Sequence, residues 1–284
     1  MTERLDNVTA RIDGIRQLGA VVNAMKGIAA ARASAARGQI EAIDSYVATI
    51  AAAISDVLDP ASPTSSTGVS EGQADVTSGL LIFCAEQGFA GAFSERILSS
   101  IQDDLSATSI FLVGSRGQSI AAERGLDPVW SAPMSARALS IPKLASQITM
   151  AINRALSEGR FERMDMVHAG WASGRPQVLR QVLFPIDLSA LSLSGTTSPI
   201  TQIPTETLLK SLSGDYLHAL VCQGALHAFA AENEARIEAM SASGTQITRE
   251  LGELEATLRQ ARQEAITAEI IELGNGAASS RNVR

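Results

Sequence analysis

Residues Gly27–Ile54 read "GIAAARASAARGQIEAIDSYVATIAAAI", a stretch without proline and with one glycine after its first residue. This composition predicts an uninterrupted α-helix. Apart from Ile28 and Ile40, the apolar residues of its first half are all alanine, so this part of the helix has little bulk to bury. We expect it to pack against a second helix at close range, because small side chains allow two helix axes to approach each other.

A heptad pattern contains this stretch and extends beyond it at both ends. Alternating steps of three and four residues lead from Leu5 to Val57, and only Gly19 and Lys26 on that path are not apolar side chains. One register held over such a length is typical of a left-handed coiled coil. The first part of the chain is therefore predicted to be one long helix that needs a partner.

A second heptad pattern occupies the last part of the chain, from Ile237 to Ala268. This helix is expected to begin near Glu206 and to stop at the "GNG" that follows Leu273. A helix with a single apolar stripe is not stable alone, so each long helix needs a partner. We expect the two to pair with each other, antiparallel because a domain lies between them; the alternative is that each packs on a separate globular core.

The middle of the chain has the pattern of a small α/β domain. Short apolar runs such as "GLLIFC" and "SIFLVG" alternate with helical patterns, which predicts a mostly parallel sheet. The last two strands are separated only by "WASGRP", so they should form an antiparallel hairpin. The predicted organisation is an N-terminal coiled-coil helix (1–58), a linker (59–78), a central α/β domain with a return linker (79–205), and a C-terminal coiled-coil helix with its tip (206–284).

Composition narrows the classes of function. The net charge of −7 argues against a nucleic-acid partner. Cys84 and Cys222 are far apart in apolar surroundings, which favours a reducing compartment over a disulfide. The N-terminus is charged throughout, unlike a signal peptide, and no apolar run reaches the ~20 residues of a membrane-spanning helix. We expect a protein that is soluble or peripheral to a membrane.

A search for catalytic chemistry yields no nucleophile, base, metal site or cofactor site. The loop "GFAGAFS" (Gly88–Ser94) follows a strand and opens a helix, so it could hold a phosphate, but it lacks the P-loop and dinucleotide spacings. Turn glycines without a ligand are the favoured interpretation. The three histidines do not form a metal pair, and the thiols have no basic neighbour.

Several segments resemble the γ subunit of F-type rotary ATP synthases. The most specific are "AENEARIEAM" (Ala231–Met240) and "ARQEAITAEIIELGNGAAS" (Ala261–Ser279), which have the spacing of that family. "NAMKGIAAARASAARGQ" (Asn23–Gln39), "CAEQGFAGAFSERIL" and "GSRGQSIAAERG" are similar to further blocks, in the same order. The stretch "RQLGAVVN" (Arg16–Asn23) departs from the family by lacking its lysines, which indicates a divergent branch. The regulatory dithiol insertion of the family's chloroplast form is absent, since Cys84 and Cys222 are far apart, which favours a bacterial origin.

The resemblance implies a non-catalytic rotor shaft without a cofactor. In the family, the paired terminal helices turn inside a ring of alternating α and β subunits, and the central domain lies near the ε subunit and the membrane-embedded c-ring. Membrane contact is then only through the complex, at the cytoplasmic face of the bacterial plasma membrane. Carried over onto this sequence, the implied contacts with the ring are Met25, Lys26, Arg236, Met240, Arg262, Gln263, Thr267 and Glu269.

Two points stay open at the level of sequence. Leu18, Val21, Met25 and Ile28 form a second apolar stripe, which is either a locally broad core face or a surface covered by a partner. The rival to the rotor function is an independent enzyme or nucleotide-binding α/β domain that dimerises through its coiled coil.

Overall fold

The computed structural model describes residues 2–58, 77–102, 104, 108–172, 175–186 and 201–281. The predicted linker 59–78, apart from its last two residues, and most of the return linker lie outside the described residues. The elements in chain order are α1 (Thr2–Val57), β1 (Ser78–Phe83), α2 (Phe93–Ser100), β2 (Thr108–Val113), α3 (Ser115–Glu123), β3 (Trp130–Ala132), α4 (Ile141–Ser157), β4 (Arg163–Ala172), β5 (Arg175–Phe184) and α5 (Thr205–Arg281).

The central sheet has five strands in the order β3-β2-β1-β4-β5. β1 pairs in parallel with both β2 and β4, and β3 pairs in parallel with β2. β4 and β5 form an antiparallel hairpin. The predicted mostly parallel sheet with a terminal hairpin is thus confirmed. β3 was not predicted from the sequence and is only three residues long.

Both faces of the sheet are covered, which explains the unbroken apolar runs of its inner strands. On one face, Leu81 and Phe83 of β1 pack in a core with α4 and with residues of α5. On the other face, Leu80 and Ile82 pack with α2, α3 and two alanines of α5. α5 therefore contributes to both cores of the domain.

The two long helices are antiparallel wherever their side chains meet. The described chain divides into two compact units, one formed by Ala29–Arg236 and one by the residues up to Ile28 and from Ile237. In the first unit, Arg37 pairs with Glu234 at 2.5 Å, and Gln223 donates to Asp44 at 2.7 Å. Residue numbers rise along α1 as they fall along α5, which confirms the predicted antiparallel pairing.

The alanines of α1 that lie on the heptad path are fully buried, whereas their neighbours Ala30, Ala31 and Ala35 are exposed. Ala29, Ala33 and Ala36 are 1%, 0% and 0% exposed. Ala36 lies in the same core as Ala225, Ala228 and Phe229 of α5. These alanines of α1 are therefore fully buried although they carry little bulk, and α5 contributes both small and large side chains to the core that Ala36 joins.

The second unit is a helix pair with its own small core. Val22, Met240 and Ile247 are its buried centre. Gly19 lies against Ile247, where an added Cβ would come within 3.3 Å of the isoleucine Cγ2. Arg16 pairs with Glu255 at 2.8 Å. Gly19, the glycine in the heptad path, therefore allows the two helices to approach closely at this position.

The predicted end of the C-terminal helix is wrong. α5 does not stop after Leu273 but continues through Gly274 and Gly276 to Arg281. Glycine in a helix costs about 1 kcal/mol relative to alanine, but it keeps its backbone donor and so lowers helix stability without ending the helix. The ion pair between Arg16 and Glu255 sets the register of the two helices and places Thr2 opposite residue 269. Because α5 continues to Arg281, it extends beyond the first residue of α1.

Candidate partner-binding surfaces

The structure divides the eight predicted contact residues by exposure. Arg236 and Met240 are buried at 4% and 3% exposure, and Met25 is half-buried. The remaining five side chains are exposed on the two long helices: Lys26, Arg262, Gln263, Thr267 and Glu269. The exposed residues can contact another protein directly, whereas the two buried residues can act only through their neighbours in this chain.

Met25, and not Lys26, lies at the helix–helix contact. The heptad count places Lys26 on the seam, but Lys26 is exposed and Met25 packs against the core of Val22, Met240 and Ile247. A straight helix drifts by about 20° per heptad against a strict seven-residue repeat, which brings the neighbouring position inward.

The other members of the second stripe are not part of a core. Leu18, Val21 and Ile28 are each more than half exposed. A broad core face therefore explains Met25 but not these three side chains. They form an apolar strip on α1, which we call the α1 strip.

The end of α5 carries a second exposed apolar surface. Ile266, Ile270, Ile271 and Leu273 are all more than half exposed. The side chains of Arg262 and Gln263 lie one turn before them and make no ion pair or hydrogen bond within the described part of the chain. Exposed isoleucines on several faces of one helix are typical of a segment that another protein encloses.

Arg236 belongs to a buried cluster that joins α5 to the loop after β1. It pairs with Glu232 at 2.5 Å and donates to the carbonyl oxygens of Gln87 at 3.1 Å and Gly88 at 3.2 Å. Glu232 is 3% exposed and accepts hydrogen bonds from the backbone N–H groups of Glu86 at 3.2 Å and Gln87 at 3.3 Å. Sequence reasoning missed Glu232, although its spacing of four residues from Arg236 is that of a helical ion pair.

The next turn at the same edge of the sheet is also closed by a carboxylate of this chain. Glu86 accepts hydrogen bonds from the backbone N–H groups of Ser115 at 2.9 Å and Met134 at 2.7 Å. Ser115 is the first residue of α3, so Glu86 satisfies a free donor of that helix. The favoured interpretation of these glycine-rich loops, turns without a ligand, agrees with this hydrogen bonding.

The thiols and the polar clusters offer no reactive site in the residues that the structure describes. Burial raises the pKa of Cys84 to about 12 and that of Cys222 to about 11, so both stay protonated. No group of three or more His, Cys, Asp or Glu side chains in the described ranges could hold a metal ion. No helix in the described part of the chain is long and apolar enough to cross a membrane.

His168 on β4 is a buried histidine of the core. Its ring lies 5.8 Å from that of His227, and its Nδ1 is 3.3 Å from the carbonyl oxygen of Ala169. Burial lowers the pKa of His168 from 6.5 to about 4, and the nearby His227 also lowers it, whereas the hydrogen bond to Ala169 raises it. The ring is therefore neutral in the folded chain at neutral pH.

We expect the folded chain to lose stability as the pH falls from 6.5 towards 4. In that window the unfolded chain binds a proton on His168 that the folded chain does not, so acid favours unfolding. From pH 7 to pH 5 the free energy of unfolding should fall by about 2 kcal/mol from this residue alone. Urea denaturation at both pH values measures the change, which should largely disappear in His168→Gln and persist in His218→Gln.

Comparison with known proteins identifies the family. A model of the family described as ATP synthase matches residues 4–279. The chain is 24% identical over 290 residues to the ATP synthase gamma chain of Bdellovibrio bacteriovorus, covering 96% of this chain and 97% of the relative. It is 26% identical over 285 residues to that of Chlorobium phaeobacteroides, with the same coverage.

A solved structure has the same fold. A chain in the Euglena gracilis mitochondrial ATP synthase, from the assembly of OSCP, F1 and c-ring, superposes with a TM-score of 0.69 at 13% identity, covering 98% of this chain and 95% of that one. With nearly its whole length matched, the chain belongs to the ATP synthase family, and the relatives to which it is similar are gamma chains.

Proposed function

We propose that the chain is the central rotor shaft of an F-type ATP synthase, a subunit without catalytic activity of its own. It couples ion flow through the membrane sector to ATP synthesis or hydrolysis in a ring of α and β subunits. The observation that carries this proposal is the match to gamma chains over almost the full length of both proteins. The paired long helices and the exposed apolar end of α5 fit the same role.

In this function the shaft works by shape and rotation. An antiparallel helix pair is not symmetric about its axis, so its turning presents different side chains to each β subunit in succession. The central α/β domain would contact the ε subunit and the c-ring. The chain would then be a peripheral protein at the cytoplasmic face of the bacterial plasma membrane, attached only through the complex.

The proposed contacts with the ring are of two kinds. Exposed polar side chains at the end of α5, Arg262, Gln263, Thr267 and Glu269, would meet polar groups of the ring, and Lys26 would do so on α1. Buried Arg236 and Met240 would hold the helices in the conformation that presents these side chains. Met25 belongs to both kinds, because it is half-buried beside the α1 strip.

The rival function, a nucleotide-binding domain dimerised by a coiled coil, has less support. In open α/β sheets, ligands bind at the carboxyl ends of the strands where the strand order reverses. Here the chain's own Glu232 accepts from two backbone donors of the loop after β1, and Glu86 accepts from the first donor of α3. A phosphate at these positions would have to displace a carboxylate.

We therefore expect the isolated chain to neither bind nor hydrolyse ATP. Titration calorimetry with magnesium-ATP on the purified full chain should give no binding heat up to millimolar nucleotide. A one-to-one complex with a Kd of about 1 μM, a binding free energy near −8 kcal/mol, would instead support the rival function.

Copurification tests the rotor function itself. The tagged chain is expressed with the α, β and ε subunits of its own organism, and the expected result is a stable complex that hydrolyses ATP. A tagged α or β subunit should recover the same complex. If the chain elutes alone under conditions in which α and β assemble with each other, the rotor function is wrong.

A further inference from the structure

The loop after β1 lies at the edge of the sheet where domains of this type bind ligands. β1 is the central strand, with β2 and β3 on one side and β4 and β5 on the other. The strand order therefore reverses beside the carboxyl end of β1. Backbone N–H groups in the loop that follows such a strand are free to bind an anion, most often a phosphate.

In this chain an internal carboxylate occupies those donors. Both oxygens of Glu232 are used, one by the N–H of Glu86 and the other by the N–H of Gln87. Arg236 pairs with the same carboxylate and donates to the carbonyl oxygens of Gln87 and Gly88. Side chains from one turn of α5 thus take both the donors and the acceptors of the loop.

The backbone of the loop shows how closely it is held. Phe89 has a φ of 63°, in the left-handed region, and its side chain is 65% exposed. A bulky residue adopts this conformation only where its surroundings determine the backbone, since it costs of order 1–3 kcal/mol. The packing of Phe89 itself does not provide that constraint, whereas the bonds from α5 to the residues just before it do.

We infer that Glu232 is a built-in anion at the phosphate position of the α/β domain, and that with Arg236 it fixes the rotational position of α5 on the sheet. The second part rests on the proposed rotor function. Arg236 is a positioning residue in this inference, not a direct contact with the ring. We call the Glu232–Arg236 pair and the backbone groups of residues 86–88 the loop clasp.

Hydrogen bonds are needed to fix α5 here because the α5 side chains that pack on the sheet near the loop are small. In the core beside α2 and α3, the buried residues of α5 are Ala231 and Ala235, whereas its larger Leu226 and Phe229 pack in the core on the other face of the sheet. Apolar packing is not directional, so alanines resist turning of a helix about its own axis only weakly. Hydrogen bonds weaken steeply when they are misaligned, so the clasp fixes the angle of the helix.

Hydrogen exchange on the isolated full chain tests the built-in anion without reference to rotation. In Glu232→Ala, the amides of Glu86 and Gln87 should exchange about tenfold faster, because their acceptor is gone. Excess sodium formate or inorganic phosphate should restore the slow exchange by filling the vacated position, and sodium chloride should not. Glu238→Ala, an exposed carboxylate further along α5, is the matched control and should change nothing.

Two results would overturn the built-in anion: unchanged amide exchange in folded Glu232→Ala, or faster exchange that formate and phosphate do not reverse. If Glu232→Ala does not fold, Glu232→Gln replaces it. That variant keeps one acceptor oxygen and fills the space, so only one of the two amides should exchange faster, and formate should have no effect.

The rotational part is tested in the assembled complex in membrane vesicles. In Glu232→Gln and Arg236→Ala, ions pumped per ATP hydrolysed should fall about twofold or more, while Glu238→Ala stays at the wild-type value. Normal pumping in assembled variants with a loosened loop would overturn it. A wild-type chain that does not join the complex would instead contradict the rotor function and leave the exchange result standing.

Discussion

Replacing both Arg262 and Gln263 by alanine should slow ATP turnover of the whole complex about tenfold, equivalent to about 1.4 kcal/mol in activation free energy. Both side chains are exposed and have no hydrogen-bond or ion-pair partner in the described part of the chain. Their loss should therefore change the stability of the chain by no more than about 0.5 kcal/mol. Steady-state ATPase activity of the purified complex measures the effect.

The control for this pair is Arg259→Ala, which removes an exposed charge one turn earlier on the same helix. It should leave turnover unchanged. Truncation after Leu273 should also be tolerated far better than the double substitution, although it removes a segment that is helical up to Arg281. Full activity in an assembled double mutant would show that the pair is ordinary coil surface.

Met25→Lys should reduce coupling more than assembly, with ions pumped per ATP falling severalfold in vesicles. Met25 packs against Val22, Met240 and Ile247. A lysine can lay its stem along this core, but it must carry its ammonium group out to water, towards whatever covers the α1 strip. The substitution should therefore weaken the contact between the α1 strip and its partner more than the helix pair itself. Met25→Leu, which keeps the apolar volume, should retain coupling.

Val21→Lys separates the two possible causes of this effect. Val21 belongs to the α1 strip and is more than half exposed, so a lysine there leaves the core of the helix pair intact. Loss of coupling in both variants would identify the strip as a partner surface. Loss of coupling in Met25→Lys alone would assign the effect to packing within the helix pair. Normal coupling in both variants would show that the α1 strip has no role in coupling.

The long-range features of the fold could be predicted because they repeat. A period of seven sustained from Leu5 to Val57 leaves one interpretation, and a second pattern from Ile237 supplies the partner. The strands that are buried on both faces are also evident as unbroken apolar runs. β3 could not be predicted in this way, because three residues are too few for a period.

Single positions were harder to predict than patterns. The choice between Met25 and Lys26 at the helix contact depends on the drift of a real helix against an ideal repeat. The burial of Arg236 depends on backbone carbonyls some 150 residues away in sequence. Glu232 was missed for the same reason, since its acceptor role involves N–H groups that any residue could supply.

The carboxylate in the loop after β1 has a consequence for the chain's response to the state of the cell. A domain that holds a diffusible nucleotide or phosphate becomes more stable as the concentration of that ligand rises, by mass action. Here the anion is covalently part of the chain, so its local concentration is fixed and high whatever the surrounding solution contains. The stiffness of this domain should therefore be the same in starved and well-fed cells, when ATP and phosphate levels differ most.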